Sequence, residues 1–186
     1  MLTSDHLHGT GSHVLRSFNW QIPPSNMASP IKAFGFLVLL CCTATVSAHI
    51  CLLNPHQRGS MSGINKPAAD DCILTTGPCG GRDMDSYLVL KRESNYTVIF
   101  QKNLDHYTQA TPGYFSISFS SDEGQTFEEA MKIPDMGEPS LHLYIQEVTL
   151  PKLAKGKPHN IMQVVYKTNN PAAPPAFYQC TDIILY

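Results

Sequence analysis

The chain has 186 residues, and its 13 Lys and Arg nearly balance 15 Asp and Glu for a formal charge of −2. The charges are interspersed and form no basic stripe, which argues against a nucleic-acid-binding footprint.

Residues 1–26 are polar and aperiodic, with no apolar run able to nucleate a core. They read as an upstream extension outside the mature protein. From Met27 the pattern changes. Met27–Lys32 is a short basic segment, Ala33–Cys42 is apolar, and Val46-Ser47-Ala48 places compact residues at the −3 and −1 positions of a cleavage site. Residues 27–48 therefore read as a secretory signal peptide, and translation is expected to start at Met27. The apolar run falls short of the ~20 residues a membrane-spanning helix needs, and Thr43, Thr45 and Ser47 interrupt it. What remains, His49–Tyr186, is the size of one domain. The chain ends directly after an apolar strand pattern, without the spacer and hydrophobic tail of a lipid anchor, so the expected product is a secreted, extracellular protein, monomeric and without a membrane span.

Cleavage after Ala48 would make His49 the N-terminus. A terminal histidine can close a chelate ring on one metal ion through its α-amine and its own Nδ1. One further histidine then completes a T-shaped set of three nitrogens, a histidine brace. Imidazole nitrogens suit copper, and Cu(II) heads the affinity order for such sites. The α-amine has an ordinary pKa near 8, so deprotonating it for a metal near neutral pH costs little.

The mature segment holds four cysteines, Cys51, Cys72, Cys79 and Cys180. An even number in a secreted chain implies two disulfides, with three possible pairings. Their spacing lacks the paired C-x-x-C of zinc modules. Asn95-Tyr96-Thr97 is an N-glycosylation sequon and is expected on the surface.

Strand signals dominate the rest. A first strand should carry His49, and Asn54–Ser86 should form a long loop stapled by a disulfide. Tyr87–Leu90, Asn95–Gln101, Tyr114–Ser120, Leu141–Leu150, Asn160–Tyr166 and Phe177–Leu185 are rich in β-branched and aromatic residues between Gly, Pro, Asn and Ser clusters. Gln125–Met131 reads as a single helical turn. Pro171–Pro175 is a proline-stiffened loop feeding the last strand. The pattern predicts an all-β domain, an immunoglobulin- or fibronectin-III-like antiparallel sandwich.

His49, His56, His106, His142 and His159 are the histidines available as ligands. His106 follows a strand and precedes a loop, so it can meet an N-terminal residue at one edge of a sandwich; spacing alone also fits an exposed loop histidine. His56 ranks second, behind the stiffening Pro55. Period two places His142 with Tyr144 and Gln146 on what reads as a solvent face, and His159 reads as an exposed turn residue. For a third protein ligand the last strand offers Tyr178, Cys180 and Asp182 on one face. Tyr178 and Asp182 lie about 13 Å apart on a regular strand, so at most one of them can reach a given metal. Asp182 also fits a structural carboxylate that holds a loop.

Four elements, taken in order, resemble the copper-acquisition-factor family. They are His49 after the signal, Pro55-x-Gln57-Arg58-Gly59, Cys79-Gly80-Gly81, and the terminal Phe177-Tyr178-Gln179-Cys180-Thr181-Asp182-Ile183. The resemblance implies a fold like that of lytic polysaccharide monooxygenases and a histidine brace for copper. His49 and His106 would supply the brace, and Asp182 the aspartate that this family has where the monooxygenases place an aromatic residue. Tyr178 remains the rival.

Two functions follow from that implication. In one, the protein binds extracellular copper for acquisition, buffering or delivery to a transporter or receptor at the cell surface. In the other, it is a copper-dependent monooxygenase acting on a chitin-like glycan. Trp20 is the only tryptophan and lies upstream of the cleavage site, and the remaining aromatics fall mostly within strands. This argues against the flat aromatic surface that a crystalline polysaccharide requires and favours copper binding.

Overall fold

The computed structural model describes residues 49–152 and 158–186. The expected extension, signal peptide and cleavage site lie outside the described residues, as does most of the turn before His159.

Eight strands form: β1 His49–Asn54, β2 Tyr87–Leu90, β3 Asn95–Leu104, β4 Tyr114–Ser120, β5 Glu128–Pro134, β6 His142–Thr149, β7 His159–Lys167 and β8 Ala176–Leu185. They make two sheets, a three-stranded one in the order β1-β3-β6 and a five-stranded one in the order β2-β8-β7-β4-β5. Pairing is antiparallel except between β2 and β8, which run parallel. The expected all-β sandwich is present. The helical turn expected over Gln125–Met131 is instead the entry to β5, an edge strand paired with β4. Hydrogen bonding to a neighbour outweighs weak local propensity there.

Alternation decides which residues fill the space between the sheets. Ile50, Leu52, Val98, Phe100, Tyr144 and Val148 face inward from the smaller sheet, against Phe115, Ile117, Met162, Val164, Tyr166, Phe177, Ile183 and Leu185 from the larger. This reverses the reading of β6. Tyr144 is buried against Phe100 and Phe115, so its face is the core face, while Leu143 and Ile145 are exposed. His142, in phase with Tyr144, is half-buried with its ring edge on that tyrosine.

Of the three possible disulfide pairings, the fold makes Cys51–Cys72 and Cys79–Cys180. The first closes the loop between β1 and β2 onto β1, and the second pins the same loop to β8. The loop also satisfies backbone groups of β8 beyond the reach of the short β2, through Arg58 N–H to the Cys180 carbonyl at 2.7 Å and Tyr178 N–H to the Leu74 carbonyl at 2.8 Å. A long loop, regular only at the 3-10 turn Asp70–Cys72, is thereby fixed along β8 of the larger sheet.

Candidate metal centre

His49 opens β1, and its Cα partner across the sheet is Leu104. His106 lies two residues beyond that partner, so one strand pairing delivers both histidines to the same end of the sandwich. Both imidazoles stack on one ring of the opposite sheet, that of Phe177. The centroid distances are 6.5 Å for His49 and 6.3 Å for His106, with interplanar angles of 18° and 12°. Both histidines are buried, at 1% and 4% exposure.

Asp182 is elsewhere. It lies five residues from Phe177 along β8, an odd number, and so on the opposite face and about 16 Å away along the strand. Its fully buried carboxylate takes a two-pronged bond from Arg58, Nε to Oδ2 at 2.7 Å and Nη2 to Oδ1 at 2.8 Å, and meets His159 Nε2 at 2.9 Å. The expected third-ligand role is therefore corrected. Asp182 anchors the β1–β2 loop to the sheet through the Arg58 side chain, and His159 is a half-buried strand residue rather than an exposed turn. Tyr178, next to Phe177, faces outward against Gly77 and Lys167. His56 bonds the Gln57 carbonyl through Nδ1 in the loop. The residue brought to both histidines is Phe177, whose signal in the sequence was its alternation with Tyr178.

Around His106 the backbone is held on both sides. The Asp105 N–H donates to Ser140 Oγ at 2.9 Å, the Tyr107 N–H to Asp105 Oδ1 at 2.8 Å, and Asn170 Nδ2 to the His106 carbonyl at 3.1 Å. The His106 amide reaches the Tyr166 hydroxyl, which itself donates to buried Asp135. Burial, and then the Asp135 carboxylate, push the Tyr166 phenol far up, and burial followed by Glu138 does the same to Tyr144, so both stay protonated. Gly137, at φ 86°, lets the neighbouring loop pack on Tyr107; a Cβ there would lie 3.0 Å from the tyrosine ring.

The donor set fits copper. Two imidazoles converge on one ring, and among the described residues no cluster of three or more His, Cys, Asp or Glu side chains could hold a metal. Imidazole nitrogens are donors that copper accepts, and a free α-amine at residue 49 would be a third donor of the same kind.

The family model described as Copper acquisition factor BIM1-like matches residues 47–186. The chain belongs to this family. The match begins two residues before His49 and runs through β8, and membership makes copper the relevant ion and the protein's role copper-related. No curated protein matches. Among solved structures, the chain is similar to an AA10 lytic polysaccharide monooxygenase from Streptomyces lividans, with 15% identity over 73% of this chain and 99% of that one at a TM-score of 0.49. It is similar also to the catalytic domain of LPMO Lmo2467 from Listeria monocytogenes (18% identity, 74% and 99% coverage, TM-score 0.44). A third likeness is to a superoxide reductase (neelaredoxin) from Ignicoccus hospitalis (8%, 56% and 78%, TM-score 0.40). None of the three bears on activity.

Two substitutions separate the two ends of β8. His106→Ala is expected to lower Cu(II) affinity at least roughly 100-fold, the scale of losing a nitrogen ligand. Asp182→Asn is expected to leave that affinity unchanged while lowering stability by about 3 kcal/mol, since it breaks a buried charged pair. Chelator competition and denaturant unfolding measure the two quantities, and a large affinity loss in Asp182→Asn would restore it as a ligand.

Proposed function

We propose that this BIM1-like protein is secreted, is cut after Ala48, and holds Cu(II) between the α-amine and imidazole of His49 and the imidazole of His106. It then serves copper acquisition, buffering or delivery to a transporter or receptor at the cell surface. The observation that carries this reading is the stacking of both imidazoles on Phe177, with His49 opening β1. When bound, copper in such a nitrogen set is held as the divalent ion and can be exchanged to a partner with competing ligands.

The protein's own residues shape that function. Phe177 presents an apolar face to both histidines, Asn170 and Tyr107 belong to the loops flanking them, and β1 holds residue 49 in a fixed position. The described aromatics that are strongly exposed, Tyr87 and Tyr186, sit toward the other end of β8, so a platform of exposed rings is absent from the histidine end among the described residues. That favours a binding protein over a polysaccharide oxidase.

One observation favours the oxidase instead. The group facing the histidines is aromatic, where the carrier reading expected a carboxylate. Incubation of the copper-loaded protein with chitin, a reductant and peroxide separates the two readings: no oxidised oligosaccharides are expected, and their copper-dependent appearance would establish the enzyme.

The same reading makes Asn95 a glycan acceptor. It is exposed at the start of β3. Its Nδ2 donates to Glu147 Oε1 at 2.9 Å, and its Oδ1 accepts from Thr149 Oγ1 at 3.1 Å. Attachment of a sugar replaces one of the two amide hydrogens and leaves one for Glu147, so both bonds survive. The secreted protein should lose mass on amidase deglycosylation, and Asn95→Gln should not.

The decisive test of the copper site compares the mature protein beginning at His49 with a version carrying one alanine in front of it. The native terminus should bind one Cu(II) tightly, and the added residue should weaken binding by roughly two or more orders of magnitude because the chelate ring is lost. Equal binding by the two would remove the N-terminal histidine from the site.

A further inference from the structure

Beneath the His106 loop lies a buried ion network that copper ligation by itself does not account for. Lys102 is fully buried; its ammonium donates to Asp135 Oδ1 at 2.7 Å and to the Glu138 carbonyl at 2.8 Å, and it forms an ion pair with Asp105 Oδ1 at 2.5 Å. A lone buried ammonium is costly, and a satisfied one fixes the groups it binds. Two of its three partners lead to the same residue.

On one side, Asp105 receives the N–H of Tyr107, the residue after His106. On the other, Asp135 receives the Tyr166 hydroxyl, whose oxygen meets the amide of His106 itself. Asp135 is held in turn, with its N–H on the Gly113 carbonyl at 3.1 Å and its Oδ1 also taking the Gly137 N–H at 3.0 Å. Lys102 thus clamps the peptide units before and after His106 through two carboxylates and one phenol. The clamp also joins three separate segments, β3 with its following loop, the β5–β6 loop and β7.

Building on the copper-site reading above, we propose that Lys102, Asp105, Asp135 and Tyr166 are positioning residues for His106, setting its imidazole against Phe177 before any metal arrives. The network contributes no ligand. Its role is to remove the freedom of the one ligand that sits in a loop, as β1 pairing does for the ligand in a strand. Its formal charge, two carboxylates against one ammonium, also leaves a negative balance beside a site that accepts a cation.

The test uses the mature protein beginning at His49 with two variants. Tyr166→Phe deletes one oxygen and cuts the link from Asp135 to the His106 amide. Asp105→Asn, at a carboxylate 35% exposed, weakens the Lys102 link while keeping an acceptor for Tyr107. Cu(II) affinity is read by chelator competition and ligand geometry by frozen-solution electron paramagnetic resonance, with circular dichroism reporting the fold. Tyr166→Phe is expected to bind roughly 10- to 100-fold more weakly and with altered copper hyperfine coupling, the scale for outer partners of metal ligands. Asp105→Asn should move both readouts in the same direction by less. Should Tyr166→Phe fail to fold, Asp105→Asn decides alone. Folded variants with affinities within about two-fold of wild type and superimposable resonance spectra would overturn the positioning role while leaving the copper site standing. Absence of copper binding by the wild type would overturn the site and the clamp together.

Discussion

The pairing of β1 with β3 is the constraint on which this molecule's metal end depends. A chain terminus normally frays, and a ligand on a frayed terminus loses in ordering entropy much of what it gains in coordination. Here the first residue of β1 is paired into a sheet and buried, so cleavage before it would place the new terminus on a strand that the sheet already holds. The register does the rest. With His49 opposite Leu104, the loop after β3 has only two residues to travel before it presents His106.

Phe177 completes the arrangement from the other sheet. Its position is fixed by pairing with Tyr166 across β7 and β8, and Tyr166 is the phenol that reaches the His106 amide. The apolar wall and the polar support of the site therefore come from neighbouring residues in one ladder. A shift of β8 by one residue against β7 would turn Phe177 outward and remove the apolar wall.

The opposite end of β8 is organised by a different charge. Asp182, Arg58 and the Cys79–Cys180 disulfide bind the β1–β2 loop to the sheet, which explains why the Gln57-Arg58-Gly59 and Cys-Thr-Asp segments look like motifs. They are the two halves of one buried cross-link, with Gln57 bonding the backbone of Leu52, Ser60 and Asp71. A carboxylate in a motif thus served structure where it resembled a ligand. Isolated buried carboxylates need a cation, and both metal and guanidinium satisfy that need.

Local pattern was enough for every strand but β5, for the all-β class and for the sulfur count, because alternation and turn residues are written in adjacent positions; His49 and His106 rest on the reading of residues 27–48 as a signal peptide and on the family resemblance. Tyr114–Ser120 and Tyr87–Leu90 were legible to the residue. Tertiary structure alone decided which face of β6 is inside, which cysteines pair, that Glu128–Pro134 is a strand, and that Phe177 rather than Asp182 meets the histidines. Each of these turns on contacts between segments far apart in the chain. A period of two says that Phe177 and Asp182 lie on opposite faces, but only the packing of the second sheet says which face looks at His49. Lys102 shows the same limit: in sequence it is one more charge on a strand, and its three partners exist only once β3 and the β5–β6 loop are brought together.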